Sequence, residues 1–196
     1  MNKLKTIILA AGYLFLAPSL AQAGDHPELQ GLLDKGPQAL LERTDQKHNA
    51  FEDQTIRIAM TIEGGTNDGT PIATPTQTKG KNRRAIRHQA PANLKGMGVV
   101  VKSRDEIYVR LPDSRKVRRV GSHAKRQTFM GTTWNFDDMS MSWLAPDYTA
   151  NVESKTVRHI VLKLTLKEGI DLQYTTVTAY VVRETLLINQ MKYFND

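Results

Sequence analysis

The sequence predicts a mainly β chain of the α+β class, built on a large, curved antiparallel sheet with few helices. Three observations predict it. A helical pattern occupies residues 27–48, apolar side chains then alternate with period two through most of the chain, and one interruption falls at residues 133–142. Beyond an N-terminal leader, the length of 196 residues suits one domain.

The N-terminus has the pattern of a secretory signal peptide. Two lysines precede a short apolar core at residues 6–18, and a small-residue cleavage site ends at Ala23. An uncleaved membrane anchor is the alternative, but this core is shorter than the about 20 residues that a spanning helix needs. We therefore expect cleavage after Ala23 and a single exported, periplasmic domain over residues 24–196.

The chain is basic and contains no cysteine. It has 27 Lys and Arg residues and 20 Asp and Glu residues. Removal of the predicted signal peptide, which contains Lys3 and Lys5, leaves 25 basic and 20 acidic residues, a net charge of +5. Such a balance favours anionic partners, so peripheral membrane contact is an expectation, although solubility alone is a simpler reason. Nucleic acid is not expected in an exported compartment. The lack of cysteine excludes disulfides and a lipid-anchored lipoprotein.

The helical pattern of residues 27–48 predicts two helices. Leu29 and Leu33 belong to an apolar stripe at helical spacing. Gly36 and Pro37 follow that stripe, and glycine commonly ends a helix whereas proline commonly begins one. We expect a short first helix, a break at this pair and a second helix.

A period-two pattern predicts strands in the rest of the chain. In the first strand Ile56, Ile58, Met60 and Ile62 alternate with polar or small residues. A turn is predicted at residues 64–69, which are rich in glycine. The further predicted strands are residues 70–79, 83–89, 97–102, 106–111, 116–120, 157–167, 171–182 and 184–194.

One face of such a sheet must be covered, because each Ile, Leu or Val that becomes buried contributes roughly 1.5–3 kcal/mol. The N-terminal helices and the segment 134–143 are the two covers that the sequence offers. We expect a helix or an ordered loop over residues 133–142.

Two motifs lie in the middle of the chain. One is RHQAPANLKGMGV at residues 87–99, and the other is LPDSRKVRRVGSHAKRQTFMGTTWNFDDM at residues 111–139. They resemble the "RF..P.dvkGtGfL" and "YLP…RRi…sFMGSdf.yeDl" signatures of the LolA-like family of outer membrane lipoprotein-sorting proteins, although Thr132 and Thr133 replace the usual Ser-Asp. The resemblance covers roughly residues 37–196. In the second motif it is carried by Leu111, Pro112, Val117, Arg118, Arg119, Phe129, Met130, Gly131, Phe136 and Asp138.

The resemblance implies a fold and a function. The fold would be an incomplete, half-open β-barrel lidded by the N-terminal helix and a short central helix or loop. The function would be that of a carrier for the acyl chains of lipoproteins or lipids, and an inner-membrane exporter of the resistance-nodulation-division type would be a partner. Family members continue with further strands after the phrase that ends here at Asp196, so C-terminal strands are expected beyond it.

The predicted site is an apolar cavity closed by the central segment, where methionine and aromatic side chains suit a variable apolar ligand. The simpler alternative to a ligand cavity is that these Met and Trp side chains form an ordinary hydrophobic core. The predicted cavity and lid residues are Ile58, Met60, Met97, Val99, Val109, Phe129, Met130, Trp134, Phe136 and Met139. The residues predicted to contact anionic groups at the rim, or to pair with one another, are Arg87, Arg118, Arg119 and Asp138.

No catalytic, metal or cofactor site is predicted. The sequence lacks the G-x-S-x-G and H-E-x-x-H motifs and a phosphate-binding glycine loop, and its five histidines are scattered singly. Two alternatives to the carrier remain. One is a periplasmic accessory module that docks its basic rim on an exporter and carries no lipid. The other, an enzyme acting on envelope lipids, lacks any catalytic constellation.

Overall fold

Three α-helices, a short 3-10 helix (Ser122–Ala124) and eleven strands make up the regular structure of the described residues. The computed structural model describes residues 5–7, 24–61, 69, 71–80, 83–114, 116–127, 135–141 and 143–194. The helices are α1 (Leu29–Lys35), α2 (Pro37–His48) and α3 (Phe136–Ser140). The strands are β1 (Lys5–Ile7), β2 (Asp53–Thr61), β3 (Pro71–Lys79), β4 (Arg83–Arg87), β5 (Gly98–Ser103), β6 (Glu106–Arg110), β7 (Val117–Arg119), β8 (Tyr148–Lys155), β9 (His159–Leu166), β10 (Thr176–Val182) and β11 (Ile188–Phe194).

The chain divides into two compact units. Unit 1 comprises Met1–Ala50 with Trp143–Asp196, and unit 2 comprises Phe51–Ser142. Unit 1 holds α1, α2 and an antiparallel sheet in the order β1-β11-β10-β9-β8. Unit 2 holds α3 and an antiparallel sheet in which β2 to β7 lie side by side in chain order. The predicted mainly β, antiparallel class with few helices is confirmed.

The break between the first two helices lies where the sequence predicts it. Gly36 has a φ of 107°, in the left-handed region that glycine tolerates, and its N–H donates to the carbonyl of Leu33. Pro37 is the first residue of α2, where the N–H that proline lacks would have no partner inside the helix. Among the described residues, no helix has the length and apolar content needed to cross a membrane.

Most predicted strands are confirmed with small shifts at their ends, but two observed strands were not predicted. One is β8, in which Tyr148 and Ala150 are buried and the other apolar side chain is half-buried, so its apolar signal is weak. The other is β1, which pairs with β11 and lies inside the predicted signal peptide. That pairing exists only in a chain that retains its N-terminal segment. The predicted turn at residues 64–69 lies, except for its last residue, outside the described residues.

The core of unit 1 is built on the two central strands of its sheet. Leu162 lies opposite Ala179, and Leu164 lies opposite Val177. All four side chains are fully buried. Directly opposed residues of antiparallel strands share a face, so these two pairs form one apolar surface. The leucines of α1 and α2 add to the buried apolar residues of the unit, and α2 packs against β8.

The exposed edge of β8 is bonded by a side chain of α2. Gln38 Oε1 accepts a hydrogen bond from the N–H of Ala150 at 3.0 Å. Gln38 Nε2 donates to the carbonyls of Ala145 and Tyr148 at 3.3 and 3.4 Å. An edge strand otherwise presents unpaired backbone groups that can pair with another chain. The glutamine therefore takes the place of a further strand at this edge.

A second polar residue of α2, Asp45, binds the turn that leads into β8. Its Oδ2 accepts hydrogen bonds from the N–H groups of Leu144 and Ala145 at 2.8 and 2.7 Å. Only 3 % of Asp45 is exposed. Burial raises the pKa of the Asp45 carboxyl to about 6, because it outweighs the two N–H donors, and nearby Asp147 and Glu42 add to the rise.

We expect Asp45→Asn to reduce the pH dependence of stability between pH 3.8 and about 6. The folded state binds the Asp45 proton more tightly than the unfolded chain does. This contribution is therefore complete below pH 3.8 and is lost as the pH rises through about 6. Its slope cannot exceed about 1.4 kcal/mol per pH unit, the limit for one proton. Urea unfolding of both proteins over this range measures the difference.

Glu168→Gln, at an exposed carboxylate in the turn after β9, is the matched control for this measurement. Its curve should run parallel to that of the unchanged protein. A curve of Asp45→Asn that also runs parallel would show that Asp45 does not take up a proton in this range.

Candidate functional site

The register of the unit 2 sheet separates two faces of different chemistry. Across β2 to β6, the residues Ile56, Thr76, Ile86, Val99 and Val109 lie opposite one another in one continuous row. Alternate residues of each strand share this face because side chains alternate along a strand. We call it the apolar face; it comprises Ile56, Ile58, Ile72, Thr74, Thr76, Thr78, Arg84, Ile86, Val99, Val101, Ile107 and Val109.

An apolar cluster covers the part of this face that β4, β5 and β6 form. It brings together five predicted site residues from three separate segments of the chain. Met97 directly precedes β5, Val99 lies in that strand, and Met139 lies in α3. Val109 and Phe136 pack against the buried residues of the cluster. The exposed fractions of Met97, Val99 and Met139 are 1, 0 and 3 %, so these three side chains are closed off from water.

The helix that contributes to the cluster is ordered by a capping box. Asn135 Oδ1 accepts a hydrogen bond from the N–H of Asp138 at 2.8 Å, and Asp138 Oδ2 accepts one from the N–H of Asn135 at 3.0 Å. The Asp138 carboxylate also lies at the positive end of the helix. Phe136 and Met139 are three residues apart, so both can face the sheet. A helix of five residues is unstable alone, and α3 therefore depends on these contacts.

A single arginine on the apolar face binds the other end of α3. Arg84 lies opposite Thr78 and Val101 in the sheet. Its Nη1 donates to the carbonyl of Met139 at 3.0 Å. Burial lowers the pKa of the Arg84 guanidinium, but arginine remains charged at neutral pH. A cation at the C-terminal end of a helix also interacts favourably with the negative end of the helix dipole.

The apolar face changes character towards β2. Three threonines of β3 are buried, and the Oγ1 of Thr74 has no hydrogen-bond partner among the described residues. On β2, Ile58 is half-buried and Ile56 is 42 % exposed. The face is therefore closed over β4 to β6 and exposes an isoleucine at its β2 side.

The residues predicted for the rim are divided between the two faces. Arg118 lies opposite Val109 and is exposed. Arg87 is exposed on the face opposite to the cluster, and so is Arg119, which donates to the carbonyl of Asp105 at 3.0 Å. The carboxylate of Asp138 accepts the hydrogen bond from the Asn135 N–H in the capping box.

Several predicted positions cannot be placed on either face. Phe129, Met130 and Trp134 lie outside the described residues. The side chain of Met60 is also not described, although its backbone belongs to β2 and pairs with Ile72 of β3. No group of three His, Asp or Glu side chains suited to a metal ion occurs in the described ranges. The contact of Arg84 with α3 was not predicted from the sequence. The available signal was that Arg84 is two residues from Ile86 on a predicted strand, so both side chains belong to the same face.

The chain is similar to several known proteins. A family model described as "-like: Uncharacterized protein" matches residues 80–196. A search of the curated proteins finds no match. A crystal structure of a DUF1329 family protein from Desulfovibrio piger is similar, with a TM-score of 0.72 and 22 % identity, over 83 % of this chain and 73 % of that chain.

Two further solved structures are similar. One is a candidate outer membrane lipoprotein-sorting protein domain from Vibrio parahaemolyticus, with a TM-score of 0.69 and 13 % identity, over 82 % of this chain and 72 % of that one. The other is a LolA superfamily protein from Nitrosomonas europaea, with a TM-score of 0.60 and 16 % identity, over 81 % and 71 %. At such low sequence identity these TM-scores show a shared fold and no more. The predicted LolA-like fold is confirmed. Because its model matches more than half of the chain, the protein belongs to the family described as "-like: Uncharacterized protein".

Proposed function

We propose that the protein is a periplasmic carrier that binds acyl chains, of a lipoprotein or of a lipid, on the apolar face of unit 2, with α3 as a movable cover. One observation carries the proposal. A five-residue helix closes an apolar cluster through Phe136 and Met139, while the same sheet face exposes Ile56 at its β2 side. The likeness in fold to lipoprotein-sorting proteins supports it.

The energies permit exchange between the cover and a ligand. Lifting α3 would expose Met139 and Phe136, at a cost of roughly 1.5–3 kcal/mol for each side chain. An acyl chain gains about 0.8 kcal/mol for each methylene that it buries, so about ten methylenes would outweigh that cost. The empty protein would then return to the closed cluster.

Head groups would lie at the edge of the apolar face in this proposal. Arg118 is the rim arginine that shares this face with Val109, and it is exposed. A guanidinium suits phosphate or carboxylate groups because its planar N–H groups match two oxygens. Arg118 is therefore the cation that would contact the polar end of a bound lipid.

One observation favours a second candidate function. Met97, Val99 and Met139 are as buried as residues of a permanent core. A core of this kind suits an accessory module that binds an inner-membrane exporter through basic side chains and carries no lipid. The two candidates differ in cargo, and the first two of the following experiments separate them.

Protein purified from its own compartment should carry lipid. Native mass spectrometry is expected to show adducts that organic extraction removes, because apolar surface such as Ile56 is exposed without a ligand. A periplasmic protein of unrelated fold, purified through the same steps, controls for loose detergent or lipid. A bare polypeptide mass for the native sample would favour the accessory module.

Ile56→Asp should weaken the binding of a fluorescent fatty acid by about tenfold or more. The carboxylate would displace about two methylenes from the sheet surface, each of which contributes about 0.8 kcal/mol. Ala59→Asp is the matched control, because Ala59 is an exposed residue of the same strand on the opposite face. Fluorescence titration measures both affinities. An equal loss in the two variants would contradict binding on the apolar face.

Arg84→Met should loosen α3 without unfolding unit 2. The change removes the hydrogen bond to the Met139 carbonyl but also removes the cost of burying a cation, so the net change in unfolding free energy should stay within about 1 kcal/mol. Hydrogen exchange of the amides at Met139 and Met141 should rise about fivefold, the factor that corresponds to the loss of about 1 kcal/mol. Unchanged exchange would show that Arg84 does not hold the cover.

A further inference from the structure

The face of the unit 2 sheet opposite to the apolar face is strongly basic. We call it the basic face, defined by the exposed cations Arg57, Lys79, Arg83, Arg87, Lys102, Arg110 and Arg119. The strand residues of this face include two carboxylates, those of Asp53 and Glu106. Seven cations against two carboxylates leave a net charge of +5 on one face of one sheet.

The cations lie close together because of the strand pairing. Asp53 is opposite Lys79, which is opposite Arg83, and Lys102 follows the residue that pairs with Arg84 on the next strand. Three cations therefore lie on three consecutive strands, β3, β4 and β5, at one end of the sheet. Neighbouring strands are about 4.8 Å apart, well inside the screening length of about 10 Å at 0.1 M salt, so these charges act together on an anion.

The same end of the sheet forms an open groove of about 850 Å³. Lys79, Arg83 and Lys102 line it together with the carboxylates of Asp53 and Glu106, and Ala85 and Val100 contribute apolar side chains between them. Val100 is 44 % exposed. A groove of this composition can take an anionic group together with a short apolar portion of the same molecule.

A gap in the side chains lies on the same face, at the other end of β4 and β5. Gly98 pairs with Arg87 on one strand and with Arg110 on the other. A Cβ at Gly98 would approach only the carbonyl oxygen of Ile86, at 4.0 Å, so packing does not demand glycine here. The two arginines thus flank a position with no side chain, where a phosphate oxygen could approach the sheet.

From these observations we infer that the basic face docks the protein on an anionic phospholipid bilayer. The face spreads its cations over several strands and exposes Val100 and Val117 among them. Arginine binds phosphate through paired N–H groups, and each Lys or Arg near an anionic bilayer contributes about 1 kcal/mol. A protein partner fits less well, because lysine, which supplies two of the three basic-face cations at the groove, is depleted in protein interfaces. The surface is distinct from the apolar face, and its membrane contact does not depend on any cargo.

Vesicle flotation of the whole protein tests the inference. Vesicles of phosphatidylethanolamine with phosphatidylglycerol should bind it at about 0.1 M ionic strength and release it at about 1 M, where the Debye length falls to about 3 Å. Phosphatidylcholine vesicles should not bind it. Lys79→Gln, Arg83→Gln and Lys102→Gln combined should lower the partition on the order of 100-fold, about fivefold for each cation.

The matched control combines Lys155→Gln, Arg158→Gln and Lys163→Gln, which removes the same charge from exposed positions of unit 1. Melting temperatures equal to that of the unchanged protein confirm folding of both variants. Fatty-acid binding of the groove variant should be unchanged, so failure of vesicle docking and failure of the carrier proposal are separate results.

Four results would overturn the inference. They are equal binding to phosphatidylcholine, an equal loss in the unit 1 control, release by millimolar inorganic phosphate at constant ionic strength, and retention on polyglutamate with no vesicle binding. The third would identify a site for a free anion, and the fourth would identify an acidic protein as the partner.

Discussion

The alternation of side chains across the unit 2 sheet is the constraint on which both proposed surfaces depend. The observed register directs Ile86 and Val99 to one face and Arg87 to the other. A slip of one residue would exchange the faces and place arginines where the apolar cluster lies. Burial of the apolar residues therefore sets the register. The positions of the cations follow from that register. No favourable interaction among the cations is needed to keep them there.

The cover of the apolar face depends on a small number of contacts. A capping box orders the start of α3, and the guanidinium of Arg84 binds its end. Contacts of these kinds contribute on the order of 1 kcal/mol each. Together with the burial of Met139 they suffice to order five residues. In the proposed carrier they would be smaller than the gain from burying an acyl chain, so a short helix would suit a cover better than a long one.

Unit 1 uses polar side chains to complete its sheet. Gln38 and Asp45 lie seven residues apart on α2, so both face the same side of the helix. Gln38 bonds the edge of β8, and Asp45 bonds the turn before it. This explains why β8 was not predicted: bonds to a helix more than a hundred residues earlier in the chain help to hold this strand, and its own apolar pattern is weak.

The sequence by itself determined the helices, their break at Gly36, most strands and the face on which each apolar residue lies, because periodicity and backbone preference are local properties. The apolar strand faces and the Met- and Trp-rich central segment also led to the prediction that Met97, Val99 and Met139 belong to one site. Only the tertiary structure decided that Arg84 binds α3 and that Arg87 lies on the face away from the cluster. Those facts depend on which strands pair and in what register, and both are fixed only when apolar residues of separate strands are buried together.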